Sequence, residues 1–201
     1  MSFKTDAQDK LALQASVRTL LNHFDGEGDR EGTRETPARY VKAMEFWTSG
    51  YQQEPEEVLK QFDDGAQSYD EMVFQGGIPI YSLCEHHLTP FFGIAHIGYI
   101  PQGKIVGLSK LSRLADIFAR RFQVQERLTC QIASALNEHL SPLGVGVVLR
   151  CRHLCMESRG VQKTGTITYT SALHGVFKDK APAREEFLRF VCLADARASN
   201  L

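Results

Sequence analysis

Four runs of β-type residues, arranged as two directly joined pairs, place the strongest constraint on how this chain can fold. Each run is rich in β-branched and aromatic residues, which is typical of strands. The runs cover residues 78–83, 91–100, 145–156 and 166–173. Because two strands joined directly form a hairpin, the pattern predicts a four-stranded antiparallel sheet.

The stretch between the two pairs of strand runs is predicted to be helical. Residues 109–140 contain neither Gly nor Pro, and a slip in their apolar phase between Phe122 and Leu128 indicates two helices joined tightly there. A closing helix is predicted from near Pro182. Its apolar side consists of Phe187, Leu188 and Val191. These patterns predict the α+β class, with the helices on one face of the sheet.

The first 70 residues are predicted to form a separate helical region. Apolar residues from Leu13 to Phe24 follow helical spacing, and the helix is expected to end at residues 25 and 26. Thr36 is predicted to cap a second helix that runs to about residue 50, and a short third helix is expected near residues 56–62. We interpret residues 1–70 as assembly elements and residues 71–201 as the domain that carries the chemistry. The outer strands carry few charges, so we expect them to pair with another subunit.

Composition excludes several classes of protein. The chain carries 23 Lys and Arg against 24 Asp and Glu, which argues against a broad nucleic-acid or membrane surface. No apolar stretch approaches the ~20 residues that a membrane span needs, and the polar first residues do not resemble a secretory signal. Five cysteines without such a signal indicate reduced thiols or metal ligands, so we expect a cytoplasmic protein.

The formal net charge of −1 conceals a basic block. Residues 25–75 carry 13 acidic and 5 basic residues, whereas residues 104–163 carry 10 basic and 4 acidic ones. A basic block in a neutral protein suits a small polyanionic ligand. A solvated basic face is an equally good interpretation of the charges alone.

Cysteine and histidine clusters give the densest chemical signal. Cys84 and His87 have the spacing that lets both side chains reach one ion from a tight turn. A second cluster, Cys151, His153 and Cys155, lies at the end of a strand run, and on a strand these side chains would share one face. Either cysteine could complete the site. Two cysteines and one histidine suit zinc and leave its fourth position free, which is the catalytic pattern.

Alternatives to a catalytic metal site stay open at this point. Buried free cysteines are common in proteins without a metal. His86 or His153 could instead be a fourth, structural ligand. Both histidines are also close enough in sequence to serve as the base that such a site uses.

Positive charge at a predicted helix start indicates an anion site. Ser109 is a suitable N-cap, but Lys110 and Arg113 oppose the positive end of the helix dipole unless an anion binds there. Two solvated basic residues are the alternative. Arg159 and Lys163 form a second candidate clamp for an anion, just beyond the second cysteine cluster.

Gln125 and Glu126 begin the next predicted helix. A glutamate there suits the helix dipole without any function. A carboxylate is also the natural partner for paired N–H donors, such as those on a guanine edge.

Together these residues resemble the GTP cyclohydrolase I family in order and spacing, from about residue 28 to residue 191. The matching strings are residues 82–88 (SLCEHHL), 107–110 (GLSK), 124–129 (VQERLT), 153–156 (HLCM) and 159–163 (RGVQK). The resemblance implies the tunnelling fold, in which four-stranded sheets join edge to edge between subunits into a barrel. It also implies that two five-membered rings stack as a homodecamer.

The resemblance further implies an activity and a role for each site residue. Water activated by zinc would attack C8 of GTP, the imidazole ring would open with loss of formate, and rearrangement would give 7,8-dihydroneopterin triphosphate. The implied zinc ligands are Cys84, His87 and Cys155, and the implied acid–base residues are His86 and His153. The implied guanine contacts are Gln125 and Glu126, and the implied triphosphate contacts are Ser109, Lys110, Arg113, Arg159 and Lys163. Some of these residues would serve the pocket of a neighbouring subunit.

Two other functions fit parts of the pattern. A non-catalytic, zinc-stabilised ring that binds purine nucleotides would share the metal ligands but would have no need of His86 and His153. A related tunnelling-fold enzyme acting on a pterin or a deazapurine would use an all-histidine metal site or a metal-free cysteine nucleophile, and neither fits this sequence. Glu157 and Ser158 depart from the family, many of whose members carry an apolar residue there.

Overall fold

The computed structural model describes residues 6–26, 29–62 and 69–198. The strands are β1 (Gln61–Phe62), β2 (Val73–Cys84), β3 (Pro90–Ile100), β4 (Ile105–Val106), β5 (Phe122–Gln123), β6 (Gly144–His153) and β7 (Thr168–Gly175). The helices are α1 (Ala7–Asp25), α2 (Thr36–Trp47), α3 (Pro55–Val58), α4 (Leu108–Ala119), α5 (Gln125–Leu140), α6 (Leu154–Glu157), α7 (Val176–Asp179) and α8 (Ala181–Ala198). This mixture confirms the α+β class.

One sheet with the strand order β5-β2-β3-β6-β7 forms the centre of the fold. The four long strands pair antiparallel, whereas the two-residue β5 pairs parallel with the end of β2 and was not predicted. β2 begins five residues earlier than the sequence suggested. Its pairing with β3 shifts register between Gln75 and Ile78, where Gly77 adopts a φ of +73°, and this bulge interrupts the strand pattern.

Helices α4 and α5 pack on one face of the sheet and enclose the main core. Inward-facing side chains of β2, β3 and β6 meet the apolar sides of both helices there. The fully buried members include Ile80, Phe91, Ile97, Tyr99, Leu111, Leu114, Leu128, Ile132, Leu136, Val147 and Leu149. Burial of this apolar surface fixes which face of each strand points toward the helices.

Helices α4 and α5 share one face, as predicted for two helices, whereas α8 packs on the opposite face, which the sequence did not predict. Phe187 and Val191 of α8 are buried against Val148, which alternates with core-facing neighbours on β6. A Cβ atom at Gly98 or Gly146 would come within 3.0 Å of the Phe187 ring, so these two glycines make room for it. Leu188 is 41% exposed and lies outside this contact.

The helical region near the N-terminus departs from prediction at its boundaries. α1 ends at Asp25 as expected, and Gly26 follows with a φ of +69°. Glu35, rather than Thr36, occupies the N-cap position of α2, and Thr36 is its first residue. α3 stops at Val58, and β1 replaces the rest of the expected third helix. Residues 63–68, which precede the predicted domain boundary at residue 70, lie outside the described residues.

The break between α4 and α5 lies earlier than the apolar phase indicated. α4 ends at Ala119, and β5 then pairs with Leu83 and Cys84 of β2 before α5 begins at Gln125. The N-cap of α4 is Gly107 and not Ser109, which is the second residue of the helix. Among the described residues, every helix is too short or too polar to span a bilayer.

His96 is a fully buried histidine between the sheet and α8. Its Nε2 lies 3.1 Å from Asp195 Oδ1, and Arg150 donates to the same oxygen at 3.2 Å. Burial lowers the pKa of His96 from its ordinary value of 6.5, and Asp195 opposes that shift only in part. The unfolded chain therefore takes up a proton near pH 6.5 that the folded chain resists. The His96 contribution to stability is full above that pH and falls as the pH drops below it.

We expect this histidine to account for part of the loss of stability in acid. The urea concentration at the midpoint of unfolding should be lower at about pH 5.5 than at about pH 7.5. In His96→Gln this decrease should be smaller, because the amide does not titrate. The two proteins differ only at this position. An equal fall in the two proteins would contradict the assignment.

Candidate metal and nucleotide site

The connection between β2 and β3 forms a tight turn that presents two candidate metal ligands. Cys84 N–H donates to Thr89 O, and the carbonyl of Cys84 accepts from the N–H groups of His87 and Leu88. Leu88 adopts a φ of +52°, which lets the chain reverse within a few residues. We call residues 84–89 the metal-binding turn. It places Cys84 Sγ 3.7 Å from His87 Nδ1.

The third candidate ligand comes from a different element. β6 ends at His153, and α6 then turns Cys155 toward the metal-binding turn, so the expectation that Cys155 continues the strand was wrong. Ligand atoms of Cys84, His87 and Cys155 all lie within 4.8 Å of one another. Cys151 remains on the strand with its side chain in the core, where burial raises the pKa of its thiol to about 12.

The chemistry of these three donors fits a zinc ion. With Zn–S near 2.3 Å and Zn–N near 2.0 Å, tetrahedral ligands are separated by about 3.5 Å, close to the spacing between Cys84 and His87. Burial and the adjacent Cys84 raise the pKa of the Cys155 thiol, and Thr89 opposes that shift. A Cys155 thiol that resists ionising suits a cation that binds it as a thiolate.

His153 is held beside this cluster in a defined orientation. Its ring stacks on Phe91 with centroids 4.7 Å apart, and its Nε2 lies 2.8 Å from Gln125 Oε1. The Gln125 amide nitrogen donates to the carbonyls of Leu149 and Thr168, so its oxygen must face the histidine. His153 Nε2 is therefore the donor, which leaves Nδ1 with a free lone pair in the neutral ring.

The electrostatic environment of His153 favours that neutral form. Burial lowers the pKa of His153, and the carboxylate of Glu126 opposes this shift. Gln125 is only 2% exposed and lies behind His153, whereas Glu126, the next residue on α5, is exposed. The two residues that sequence reasoning paired as guanine contacts therefore occupy different environments.

Exposed residues surround the three candidate ligands. His86 is exposed on the metal-binding turn, with its Nε2 3.8 Å from Glu85 Oε1. Arg159 Nη1 lies 2.8 Å from His87 Nε2, which brings one predicted anion-binding residue to the cluster. Lys163 is exposed in the same segment, and its backbone N–H donates to Met156 O.

The other predicted anion-binding residues lie at the opposite end of the sheet. Ser109, Lys110 and Arg113 belong to the first half of α4, which is tied to the start of β2 by a 3.1 Å hydrogen bond from Gln75 to Ser112. Gln75 and Cys84 are nine positions apart on β2, which at about 3.3 Å per residue separates them by roughly 30 Å. Within one chain, the start of α4 therefore lies far from the three candidate ligands.

Sequence reasoning missed Arg127, which contacts the metal-binding turn from α5. Its guanidinium binds the Glu85 carboxylate and lowers the pKa of that group, and it also donates to Gln123 Oε1 and Phe122 O. An arginine in the first turn of a helix opposes the helix dipole. The same conflict occurs at Lys110, so a basic residue at a helix start is the sequence signal that points to Arg127.

Glu157 and Ser158, which stand where many members of the family carry an apolar residue, have a structural explanation. Arg152 donates to both carboxylate oxygens of Glu157, at 2.9 and 2.6 Å, and Ser158 Oγ donates to Leu154 O. These contacts join the end of β6 to α6, which carries Cys155. The polar residues thus stabilise the turn that follows the strand.

Comparisons with known proteins agree with this geometry. Residues 13–192 match the family model described as GTP cyclohydrolase I. A protein named GTP cyclohydrolase 1 from Janthinobacterium sp. (strain Marseille) is 61% identical over 171 residues, which are 85% of this chain and 86% of that protein. Another of the same name, from Nitrosospira multiformis, is 57% identical over 169 residues, 84% of this chain and 88% of that protein.

One solved structure is also similar in part. The crystal structure of the archaeosine synthase QueF-Like in the apo form aligns with a TM-score of 0.44 and 17% identity, over 52% of this chain and 93% of that one.

Proposed function

The chain belongs to the GTP cyclohydrolase I family, and from that premise we propose how its own residues divide the work of the reaction. The activity is hydrolysis of GTP at C8 of the purine, with release of formate and rearrangement to 7,8-dihydroneopterin triphosphate. The observation that carries the assignment of the site is the convergence of Cys84, His87 and Cys155, brought together from a turn and a separate helix.

The metal is proposed to be zinc, held by Cys84, His87 and Cys155. Bound there, it would supply an activated water as the nucleophile toward C8. The two thiolates balance the charge of a divalent ion, so a nearby base has more to contribute than it would at an all-histidine site. The residues of the chain that could move protons are His153 and His86.

His153 is proposed as the principal acid–base residue. Its lowered pKa keeps the ring neutral, and its hydrogen bond to Gln125 leaves Nδ1 as the position that takes or returns a proton at N7 of the purine. Gln125 is then a positioning residue that fixes the tautomer of His153. This assignment replaces the expectation that Gln125 contacts the guanine directly. His86, exposed on the metal-binding turn, is proposed to act in later proton transfers.

Recognition of the guanine is proposed to rest on Glu126. Its carboxylate is exposed at the start of α5, next to the residue that orients His153. A carboxylate accepts two parallel hydrogen bonds from the N1–H and amino group of guanine. Adenine lacks that pair of donors, so Glu126 would select GTP over ATP.

The triphosphate is proposed to lie between two chains. Arg159 stands beside the candidate ligands of its own chain, with Lys163 in the same segment, whereas Ser109, Lys110 and Arg113 lie near the start of β2, away from Cys84 at its end, and would serve a neighbour. This separation supports the tunnelling-fold assembly, in which the part of β2 that β5 leaves unpaired and the outer edge of β7 would pair between subunits. A homodecamer of two pentamers is the proposed state.

Residues 1–70 are proposed to contribute to assembly, and residues 71–201 to catalysis. None of the described residues of α1 is buried within one chain, and Leu20 and Phe24 are 57% and 80% exposed. Such a helix gains stability by burying its apolar residues against another subunit. A cytoplasmic location is proposed because thiolate ligands require a reducing compartment.

Incubation of the purified protein with GTP tests the proposed function. Formate release, together with pterin fluorescence after oxidation of the product, should be seen with zinc present, and removal of the metal with a chelator should abolish both. Added zinc should restore them. Binding of GTP without formate release would instead show a non-catalytic nucleotide-binding ring.

A further inference from the structure

Arg127 connects α5 to the metal-binding turn, and no step proposed above requires it. Its guanidinium contacts the carboxylate of Glu85, which follows the ligand Cys84 directly in sequence. The same side chain donates from Nε to Gln123 Oε1 at 2.9 Å and from Nη2 to Phe122 O at 3.0 Å. The Arg127 guanidinium thus contacts the metal-binding turn and both residues of β5.

Gln123, which accepts a hydrogen bond from Arg127, is itself held in place by buried hydrogen bonds. Gln123 is 1% exposed, and its amide nitrogen donates to Phe118 O at 3.0 Å and to Gln131 Oε1 at 2.7 Å. The carbonyl of Gln123 accepts from the N–H of Glu85 at 3.0 Å. Arg127 therefore links Glu85 to a buried network that is anchored in both α4 and α5.

The three candidate ligands need this kind of support from outside the turn. Hydrogen bonds within the turn can hold Cys84 and His87 relative to each other, but Cys155 belongs to α6 and reaches the cluster independently. The distance from the turn to Cys155 depends on how the turn sits on the rest of the fold. Partners behind the ligands commonly set metal affinity in this way.

We propose that Arg127 is a positioning residue for the metal-binding turn, holding Glu85 so that Cys84 and His87 meet Cys155 in one ligand set. This inference rests on the metal site of the proposed function. Glu85 and Arg127 are both partly exposed, and exposed ion pairs contribute little to folding. The pair should therefore matter more for metal binding than for stability.

Three consecutive residues of α5 then have different roles at the site, because their side chains point in different directions. Gln125 orients His153, Glu126 faces solvent for the guanine, and Arg127 holds the metal-binding turn. Successive helical residues point about 100° apart, so a single helix start can reach three parts of one site. The first turn of α5 thereby fixes the distance between the base and the metal.

Zinc affinity of the intact chain, measured by competition with a chromophoric chelator, tests the proposal. Arg127→Met should weaken zinc binding by about 10–100-fold, the usual cost of losing such a partner. Arg127→Lys should recover only part of this loss, because an ammonium cannot reach Glu85 and β5 as a fork. With cobalt in place of zinc, the thiolate charge-transfer and ligand-field bands should change in the Met variant.

Two further variants separate positioning from folding. Glu85→Gln should also weaken zinc binding, and combining it with Arg127→Met should cost no more than the larger single effect, because both remove one contact. Arg39→Met, which removes an exposed pair with Glu35 on α2, should leave zinc affinity unchanged. If Arg127→Met fails to fold, Glu85→Gln and Arg127→Lys still decide the matter.

The results distinguish this inference from the proposed function. Parental zinc affinity and cobalt spectra in Arg127→Met and Glu85→Gln would overturn the role of Arg127 and leave the ligand set intact. Loss of stability in zinc-saturated Arg127→Met without a change in zinc affinity would also overturn it, since it would show a purely structural contact. If Cys155→Ser kept its zinc, the ligand set itself would fail.

Discussion

Cys155→Ser is expected to lose nearly all bound zinc and, with it, all formate release. Serine is a poor zinc ligand because its hydroxyl does not ionise near neutral pH as a thiol does on metal binding. Removing a direct ligand should cost more than the 10–100-fold in affinity that follows loss of a supporting partner. Zinc content by elemental analysis and formate release from GTP measure the two effects.

Cys151→Ser provides the matched control for this experiment. Cys151 lies four residues earlier in the same segment, but its side chain is in the core and is absent from the ligand cluster. Its substitution should lower the free energy of unfolding, because a hydroxyl replaces a buried thiol, yet zinc content should stay at the parental level. Zinc lost from Cys151→Ser and kept by Cys155→Ser would show that the ligand assignment is wrong.

His153→Ala is expected to lower kcat for formate release by about 10²–10⁴-fold, the usual contribution of a positioned acid–base group. Zinc content should remain parental, because the imidazole of His153 is not among the three clustered ligands. GTP binding should also persist, since Glu126 and the basic residues are retained. Single-turnover formate release, zinc analysis and equilibrium GTP binding together separate chemistry from binding.

His139 offers a control at the other end of the same helix that orients His153. It lies in the last turn of α5, with its Nε2 3.3 Å from Glu56 Oε1. His139→Ala should leave kcat unchanged. Normal turnover in His153→Ala would remove His153 from the mechanism, whatever its position in the structure.

Local spacing in the sequence was enough to predict that two of the candidate ligands converge but not how the third reaches them. Cys84 and His87 lie in one turn, so their spacing alone predicts that they converge. The alternation of Cys151, His153 and Cys155 fits a continuing strand equally well as a strand followed by a helix. The strand ends because β3 begins at Pro90, so His153, paired with Phe91, is the last residue of β6 with a partner.

The sheet was predicted more accurately than its surroundings. Hairpin connections follow from adjacent runs of β-type residues, whereas the side on which α8 packs depends on Phe187 meeting Gly98 and Gly146, three residues far apart in sequence. The bulge at Gly77 and the two-residue β5 are too short to leave a periodic signal. The role proposed for Gln125 rests on its partners, because its identity alone suits a ligand contact as well as a buried hydrogen bond.

The opposite placement of the metal ligands and the start of α4 has a consequence for how the enzyme can be switched on. On the proposed assignment, a solitary chain holds one half of each of two different pockets and no complete pocket. Turnover per molecule would then rise with protein concentration and vanish on dilution, since every working pocket needs two chains side by side. If the cell made more of the protein, both the number of chains and the fraction of them assembled into rings would then rise.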